Sequence, residues 1–257
     1  MSAERANPDP NPITALVTGA TSGIGRAVAK RLASDGMSVV VSGRNARHGA
    51  GTVDEITAAG GRARFVEADL EDLAGIDRLV AEAGEIDVLV NSAGRSVWAP
   101  TEDLKASDYD SMFASNVRAP FFLVAALAPA MAMRGSGSVI NIGSMAGSVG
   151  LATGAAYGAT KAALAALTRS WTAEYSGRGV RFNTVAPGPV YTRPEARDLF
   201  DALAETTAMK RAAEPAEIAR GRRVPRLAEG QLRHRRDRRR RRRPHRHLKW
   251  QELQILV

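Results

Sequence analysis

Six short apolar stretches alternate with helical patterns along most of the chain. Each stretch has the length of one strand and is apolar at consecutive positions, so both faces of the strand are expected to be buried. Strands of this kind that alternate with helices predict a single α/β domain with a doubly wound parallel sheet. Ligands of such a fold bind at the carboxyl ends of the strands. The predicted strands are residues 13–19, 37–43, 63–69, 86–94, 138–144 and 180–188.

Helical patterns lie between these strands. Three of them, residues 23–36, 52–61 and 76–84, end in glycine, which commonly terminates a helix. Two longer patterns, residues 104–133 and 155–175, predict two long helices.

The composition changes abruptly near Ala219. Residues 1–219 hold 21 Lys and Arg against 24 Asp and Glu, whereas residues 220–257 hold 15 against 3. The net charge of +9 therefore comes from the last segment, and the body of the chain is mildly acidic. We expect residues 1–11 to be disordered, residues 12–219 to form the domain, and the arginine-rich tail, residues 220–257, to be disordered.

The composition also excludes some classes of site. The chain has no cysteine, so it has no disulfide and no thiolate metal site, and no metal is predicted. No uninterrupted apolar run reaches membrane-spanning length, and the first residues lack the apolar core of a signal peptide. We therefore expect a cytoplasmic protein without a membrane partner.

The segment TGATSGIG, residues 18–25, joins the first strand to the first helix. Gly19 permits a tight turn, and Gly25 is expected to let the backbone approach a diphosphate. The helix that follows offers free N–H groups and the positive end of its dipole to an anion. The segment predicts a dinucleotide site, with an ordinary strand-to-helix turn as the alternative. Its predicted contact residues are Gly19, Thr21, Ser22, Gly23, Ile24 and Gly25.

Tyr157 and Lys161 stand four residues apart, so they share one face of a predicted helix. The pKa of a free tyrosine is about 10, and a neighbouring ammonium favours the phenolate. We expect Lys161 to lower the pKa of Tyr157, which can then exchange a proton with a carbonyl and alcohol pair. Such a pair alone also fits a solvated helix face; Ser144 upstream and the glycine-rich turn favour the catalytic interpretation.

Six motifs occur in the order and spacing of the short-chain dehydrogenase/reductase family, which the chain resembles over residues 12–219. The resemblance implies a Rossmann-like, NAD(P)-dependent oxidoreductase that interconverts a ketone and a secondary alcohol and forms a homo-oligomer, with 3-oxoacyl thioester reductases as the nearest group. Ser92 departs from the usual NNAG of the family. The motifs are TGATSGIG (18–25), NSAG (91–94), Asn116, Ser144, YGATK (157–161) and PGPVYT (187–192).

The resemblance also implies catalytic roles. Tyr157 exchanges the proton, and Ser144 hydrogen-bonds the substrate oxygen. Lys161 binds the ribose of the cofactor as well as acting on the tyrosine. Asn116 holds a water that links Lys161 to solvent. The predicted catalytic set is Asn116, Ser144, Tyr157 and Lys161.

The end of the second strand favours one cofactor. An acidic residue there would repel a 2′-phosphate, but the sequence reads VVVSGRN, so Ser42 and Arg44 are expected beside the adenosine ribose. A guanidinium suits a phosphate, which favours NADP(H) over NAD(H). The alternative is that Arg44 is an ordinary loop charge, and Ser22 stands where many NADP-dependent relatives carry a basic residue. By resemblance, the other contacts are Asp69, Leu70, Asn91, Ala93, Gly94, Tyr157, Lys161, Pro187, Gly188, Val190 and Thr192.

The substrate pocket is expected between residues 95–100, residues 148–153 and the segment after Tyr191. The large side chains of these segments are mostly apolar, which predicts a hydrophobic or mixed ketone; anchoring of the loops is the alternative role. The candidate substrate contacts are Val97, Trp98, Val149, Leu151 and Tyr191.

The family pattern ends at Arg220, where a final strand ending in VDGG would be expected to follow. A shift of reading frame in GC-rich DNA explains this loss, because Arg codons then read as Val, Ala, Gly or Asp. We therefore predict that the final strand is missing, that one subunit interface is damaged and that activity is impaired. The alternative is a basic arm that binds nucleic acid or other polyanions, on a nucleotide-binding protein without catalytic activity.

Overall fold

Six strands form where the sequence predicts them, within residues 12–220, which the computed structural model describes. The expectations for residues 1–11 and 221–257, and with them the arginine-rich tail, lie outside the described residues. All neighbouring strands are parallel, which confirms the predicted doubly wound sheet. The strands are β1 (Thr14–Thr18), β2 (Ser38–Gly43), β3 (Arg62–Glu67), β4 (Val88–Asn91), β5 (Gly137–Ile142) and β6 (Val180–Val185).

The order of the strands places a crevice at the middle of the sheet. The order is β3-β2-β1-β4-β5-β6, so the chain builds outward from β1 in one direction and from β4 in the other. Such a change of direction opens a crevice at the carboxyl ends of the two central strands. The glycine-rich turn follows β1 and NSAG follows β4, so both motifs line this crevice.

Helices cover both faces of the sheet, which is why the strands are apolar at consecutive positions. Leu16, Val40 and Leu89 belong to the core on one face, and Val17 and Val90 belong to the core on the other. The helices are α1 (Gly23–Ser34), α2 (Ala46–Ala58), α3 (Leu73–Ala83), α4 (Ala106–Phe113), α5 (Ala119–Met133), α6 (Ala155–Tyr175), α7 (Arg197–Ala204) and α8 (Pro215–Ala219).

Helix α2 begins six residues earlier than the helical pattern predicted. The side chain of Asn45 caps it by accepting a 2.9 Å hydrogen bond from the main-chain N–H of His48. Two glycines in its first turns obscured the pattern. One of them, Gly49, packs directly against the ring of Phe65 and leaves no room for a side chain.

The predicted helix over residues 104–133 contains a change of helix type. A π-helical turn, Ala114–Arg118, joins α4 to α5, so the helical region runs without a break over Ala106–Met133. This region is long and apolar enough to cross a membrane by length and composition, and 44% of its most apolar window is buried inside the domain. Leu123, Leu127 and Met131 place it in the core that covers one face of the sheet.

Strand β6 lies at one edge of the described sheet. It pairs with β5 over six residues. No other strand within residues 12–220 pairs with β6, on the side where the resemblance implies the final strand of the family. A strand edge without a partner exposes unpaired N–H and C=O groups.

Candidate active site

The glycine-rich turn is packed so closely that its backbone requires glycine. Gly19 has a φ of +62°, and a Cβ there would lie 2.7 Å from the Cα of Ala93. Gly25 also has no room for a side chain, because a Cβ there would collide with the carbonyl oxygen of Gly19. Gly25 therefore packs the start of α1 closely against the turn after β1, and its approach to a diphosphate stays a prediction. The glycine that faces Thr192 across the crevice is Gly23, with a φ of +51°.

The end of β4 is tied to the end of β1. The hydroxyl of Thr18 accepts hydrogen bonds from the main-chain N–H groups of Ser92 and Ala93, both at 3.1 Å. Asn91 was predicted to line the cofactor site, but its side chain is buried and donates a 2.8 Å hydrogen bond to Asn141. Asn91 therefore supports the sheet, and the wall of the crevice is formed by the residues that follow it.

Asn116 lies in the π-helical turn, and the protein uses all the hydrogen-bonding capacity of its side chain. Its amide nitrogen donates to the carbonyl of Arg95 at 2.8 Å and to the hydroxyl of Thr160 at 3.0 Å. Its amide oxygen accepts from the N–H of Arg95 at 2.8 Å and from Ser115 at 3.0 Å. These contacts engage both amide hydrogens and the amide oxygen, so the side chain joins the loop after β4 to α6. The water that the resemblance implies at Asn116 stays a prediction.

Tyr157 and Lys161 lie on one face of α6, as the spacing predicts. The ammonium nitrogen of Lys161 lies 5.7 Å from the centre of the Tyr157 ring and donates a 2.9 Å hydrogen bond to the carbonyl of Ile142. Burial lowers the pKa of Lys161 to about 8. The pKa of Tyr157 is raised, because burial disfavours the phenolate. The expected lowering by Lys161 is therefore not seen; a hydrogen bond with Ser144 is what opposes the rise.

Ser144 follows β5 and begins a short 3₁₀ helix, Met145–Gly147, by accepting a 3.2 Å hydrogen bond from the N–H of Ala146. This turn packs directly on α6. A Cβ on Gly158 would lie 2.7 Å from the carbonyl oxygen of Ala146, and one on Gly147 would lie 2.9 Å from the main chain of Lys161. These two glycines were not among the predicted site residues, although Gly158 directly follows the tyrosine in YGATK.

The segment 187–192 closes the crevice on the side of the glycine-rich turn. The carbonyl of Pro187 accepts a 2.9 Å hydrogen bond from the N–H of Met145, next to Ser144. A Cβ on Gly23 would lie 3.2 Å from the Cβ of Thr192. Gly188 has room beside the sulfur of Met145, whereas Val190 is buried. Thr192 and Gly188 therefore line the crevice, and Val190 anchors the segment beneath it.

Some residues predicted to contact the adenosine end of the cofactor are buried or bonded to other residues in the structure. Ser42 is only 1% exposed, because it lies within β2 on the same face as Val40, so its side chain does not reach a ribose. Arg44 is exposed and forms an ion pair with Glu71 at 3.5 Å. Asp69 accepts a 2.9 Å hydrogen bond from the N–H of Glu71, and Leu70 is buried.

The structure places the predicted substrate contacts in different surroundings. The ring of Trp98 lies 5.6 Å from that of Tyr157, and Val97 lines a neighbouring cavity of about 510 Å³. Val149 is exposed and Leu151 half-buried on the loop before α6. Tyr191 is half-buried, and its hydroxyl donates a hydrogen bond to Asp201 of α7. Other residues that line the cavity were missed by the sequence analysis, and they include Leu104, Tyr109, Thr153 and Ala156.

Comparisons with known proteins identify the family. The sequence model of the short chain dehydrogenases matches residues 13–199. The chain belongs to the short-chain dehydrogenase/reductase family. A 2,5-dichloro-2,5-cyclohexadiene-1,4-diol dehydrogenase of Sphingobium indicum is 37% identical over 214 residues, which cover 80% of this chain and 86% of that protein. This short-chain dehydrogenase/reductase is accordingly an oxidoreductase.

Solved structures of the same family carry a dinucleotide. A putative NAD(P)-dependent gluconate 5-dehydrogenase from Beutenbergia cavernae with bound NADP is 36% identical, with a TM-score of 0.77, and the match covers 83% of this chain and 89% of that one. A 3-oxoacyl (acyl-carrier-protein) reductase from Agrobacterium tumefaciens with NADP bound is 32% identical, with a TM-score of 0.76, and the match covers 80% and 84%.

Proposed function

We propose that this short-chain dehydrogenase/reductase uses NADP(H) to interconvert a ketone and a secondary alcohol. The observation that supports the proposal most strongly is that half-buried Tyr157 and buried Lys161 lie on one face of α6, with the Ser144 hydroxyl hydrogen-bonded to the tyrosine. These are the groups that a carbonyl reduction needs: a proton donor, a hydrogen-bond donor for the substrate oxygen and a fixed cation.

The crevice suits a dinucleotide. Backbone glycines at positions 19 and 23 keep side chains out of the turn, and α1 begins at Gly23 with free N–H groups directed at the crevice. When bound here, a nicotinamide dinucleotide would be the source of the hydride for the carbonyl carbon, or its acceptor in the reverse direction. Thr192 and Gly188 would hold its nicotinamide end, and Lys161 would bind a ribose.

The protein's own groups handle the proton. The raised pKa of Tyr157 keeps its hydroxyl protonated near neutral pH, which suits a donor to the oxygen of a ketone. The Ser144 hydroxyl hydrogen-bonds the same oxygen as its negative charge develops. The ketone thus gains one hydride at carbon and one proton at oxygen and becomes an alcohol. Lys161, with a pKa of about 8, remains mostly cationic at pH 7 and stabilises the phenolate that Tyr157 becomes when it gives up its proton.

The substrate we propose is an uncharged, largely apolar ketone. The cavity of about 510 Å³ is lined by Val97 and Ala156, the sequence neighbours of Trp98 and Tyr157, and mainly by alanine and other apolar side chains. Burial of a carboxylate or phosphate among such residues without a cationic partner is unfavourable. An acyl or alkyl group next to the carbonyl fits the lining.

A direct assay tests this proposal. NADPH consumption is followed at 340 nm with a panel of apolar ketones, and the Tyr157→Phe variant serves as the matched control. We expect turnover by the parent chain and a loss of about 10²–10⁴-fold in the variant, with NADPH binding retained. Absence of turnover with every ketone, together with intact NADPH binding, would support a binding protein instead and contradict the proposal.

We also propose that copies of the chain associate through α5, as the family resemblance implies for a homo-oligomer. The outward face of α5 carries Phe121 and Phe122, which are 43% and 41% exposed, followed by Ala125, Ala126 and Pro129. An apolar helix face of this kind marks an interaction surface. Light scattering after size exclusion should show a dimer or larger species, and Phe121→Ser together with Phe122→Ser should shift it toward the monomer.

A further inference from the structure

A second cavity lies beside the glycine-rich turn, separate from the apolar cavity near Tyr157. It has a volume of about 280 Å³ and opens between the turn and α2. Its lining combines two hydroxyls with three basic side chains. The lining residues are Thr21, Ser22, Arg26, Arg47, His48 and Gly51.

Two of the three basic side chains have no hydrogen-bond or ion-pair partner within residues 12–220. Arg26 forms an ion pair with Glu55, which also binds Lys30 at 2.8 Å. Within residues 12–220, the side chains of Arg47 and His48 form no ion pair or hydrogen bond. The cavity therefore offers a guanidinium and an imidazole whose donors are free to bind a ligand from solvent.

The local structure holds these two side chains at the cavity. Asn45 caps α2 through the N–H of His48, which fixes the first turn of the helix. Gly49 packs against Phe65 and sets the distance of this turn from the sheet. At Gly51 a Cβ would meet no atom within 4 Å, so this wall of the cavity is open.

Arg44, the residue that the sequence assigned to the cofactor phosphate, does not line this cavity. Its guanidinium pairs with Glu71, and Glu71 in turn accepts a 2.6 Å hydrogen bond from the hydroxyl of Ser111 on α4. The positive charge of Arg44 is therefore partly neutralised by a carboxylate that is itself held in place.

We propose that Arg47 and His48, with the hydroxyls of Thr21 and Ser22, bind the 2′-phosphate of NADP(H) and make the chain prefer it to NAD(H). The inference rests on the proposed function and deepens it, since it names the residues that select the cofactor. A phosphate needs several donors and at least one cation, and a guanidinium provides both in a planar array. The same cavity gives no comparable interaction to a 2′-hydroxyl, which carries no charge.

Calorimetric titration with NADPH and with NADH tests the inference without any substrate. We expect the Arg47→Gln/His48→Gln variant to lose at least about 10-fold in affinity for NADPH and to change its affinity for NADH by less than about 2-fold. Arg44→Gln should lose less NADPH affinity than the double variant. Arg31→Gln, near the end of α1 that is remote from the cavity, removes a charge of the same kind and should leave both affinities unchanged.

Fragments of the cofactor isolate the phosphate. The parent chain should bind 2′,5′-ADP more tightly than 5′-AMP, and the Arg47→Gln/His48→Gln variant should bind the two about equally. If the parent chain prefers NADPH but the double variant keeps that preference, or if only Arg44→Gln abolishes it, the inference is wrong while the proposed function stands. If the parent chain binds neither NADPH nor NADH, the proposed function fails together with the inference.

Discussion

The ammonium of Lys161 donates a 2.9 Å hydrogen bond to the carbonyl of Ile142, the last residue of β5. This bond fixes the cation at the carboxyl end of the strand that leads into Ser144. The bond holds the lysine against the sheet, while Tyr157, one turn earlier on α6, faces the crevice beside Ser144.

The depressed pKa of Lys161 predicts a dependence of stability on pH. Below about pH 8 the amine is protonated in both states, and between about 8 and its ordinary value of 10.5 only the unfolded chain holds the proton. Unfolding then takes up a proton, so the folded state gains stability as pH rises through this window. We expect the free energy of unfolding of the parent chain to rise relative to Lys161→Met by up to about 3 kcal/mol between pH 7.5 and 10. If the free energies of unfolding of the two proteins change with pH in the same way, the lowered pKa of Lys161 is contradicted.

Ser144→Ala should change both the rate and its pH dependence. Loss of the hydroxyl removes a donor to the substrate oxygen, which we expect to cost about 10²–10³-fold in kcat. The same hydroxyl opposes the rise in the pKa of Tyr157, so its removal should move the alkaline inflection of alcohol oxidation to higher pH. Ser136→Ala, in the exposed turn before the amino end of β5, should alter neither quantity.

Asn116→Ala tests whether this residue anchors the loop after β4. The variant leaves the main-chain N–H and carbonyl of Arg95 without their partner and removes a donor to the hydroxyl of Thr160, which keeps its own bond to the carbonyl of Tyr157. We expect a loss of about 2–4 kcal/mol in the free energy of unfolding, measured by urea titration. Asn183→Ala, on the exposed side of β6, should cost less than about 0.5 kcal/mol. A stable but inactive Asn116→Ala would instead favour a role in proton transfer.

A buried ladder of polar side chains holds α6 against the sheet. Asn141 donates to the hydroxyl of Thr168 at 2.8 Å, and the hydroxyl of Thr184 donates to the same atom at 2.9 Å. Thr168→Val removes this acceptor without changing the shape of the side chain, and we expect a cost of about 1–3 kcal/mol in the free energy of unfolding. Thr172→Val, one turn later on the same helix, removes a hydroxyl that bonds only to the main chain and should cost less.

The free edge of β6 leads to a prediction about the arginine-rich tail. If residues 220–257 are out of frame, a gene with the frame restored should add a strand to this edge. The restored protein should melt higher by about 5 °C or more and consume NADPH faster at the same protein concentration. Equal melting temperatures and equal rates would contradict the predicted damage by the altered tail, and an intact reading frame on resequencing would refute the frameshift hypothesis.

Much of the fold and part of the site could be predicted from the sequence, for identifiable reasons. Strands such as β1 and β2 are buried on both faces, and that burial is visible as a run of apolar residues. The spacing of Tyr157 and Lys161 is equally legible, because four residues make one helical turn.

Other features depend on contacts that no local pattern reveals. Ser42 was placed at the ribose because it stands near the end of a strand, but its side chain follows the alternation of β2 into the core. Tyr191 was assigned to the substrate, yet its partner Asp201 comes from a helix ten residues later. The π-helical turn that holds Asn116 arises from tertiary hydrogen bonds to Arg95 and Thr160.

Gly147 and Gly158 set the distance between the end of β5 and α6 by contact of main chain with main chain. The spacing of the reacting groups is therefore independent of the side chains that surround the entrance. Under the proposed function, residues predicted to contact the substrate, such as Val97 and Leu151, could diverge and admit other molecules while the chemistry stays the same. Selectivity and reactivity are thus encoded at separate positions, and one can evolve, or be engineered, without loss of the other.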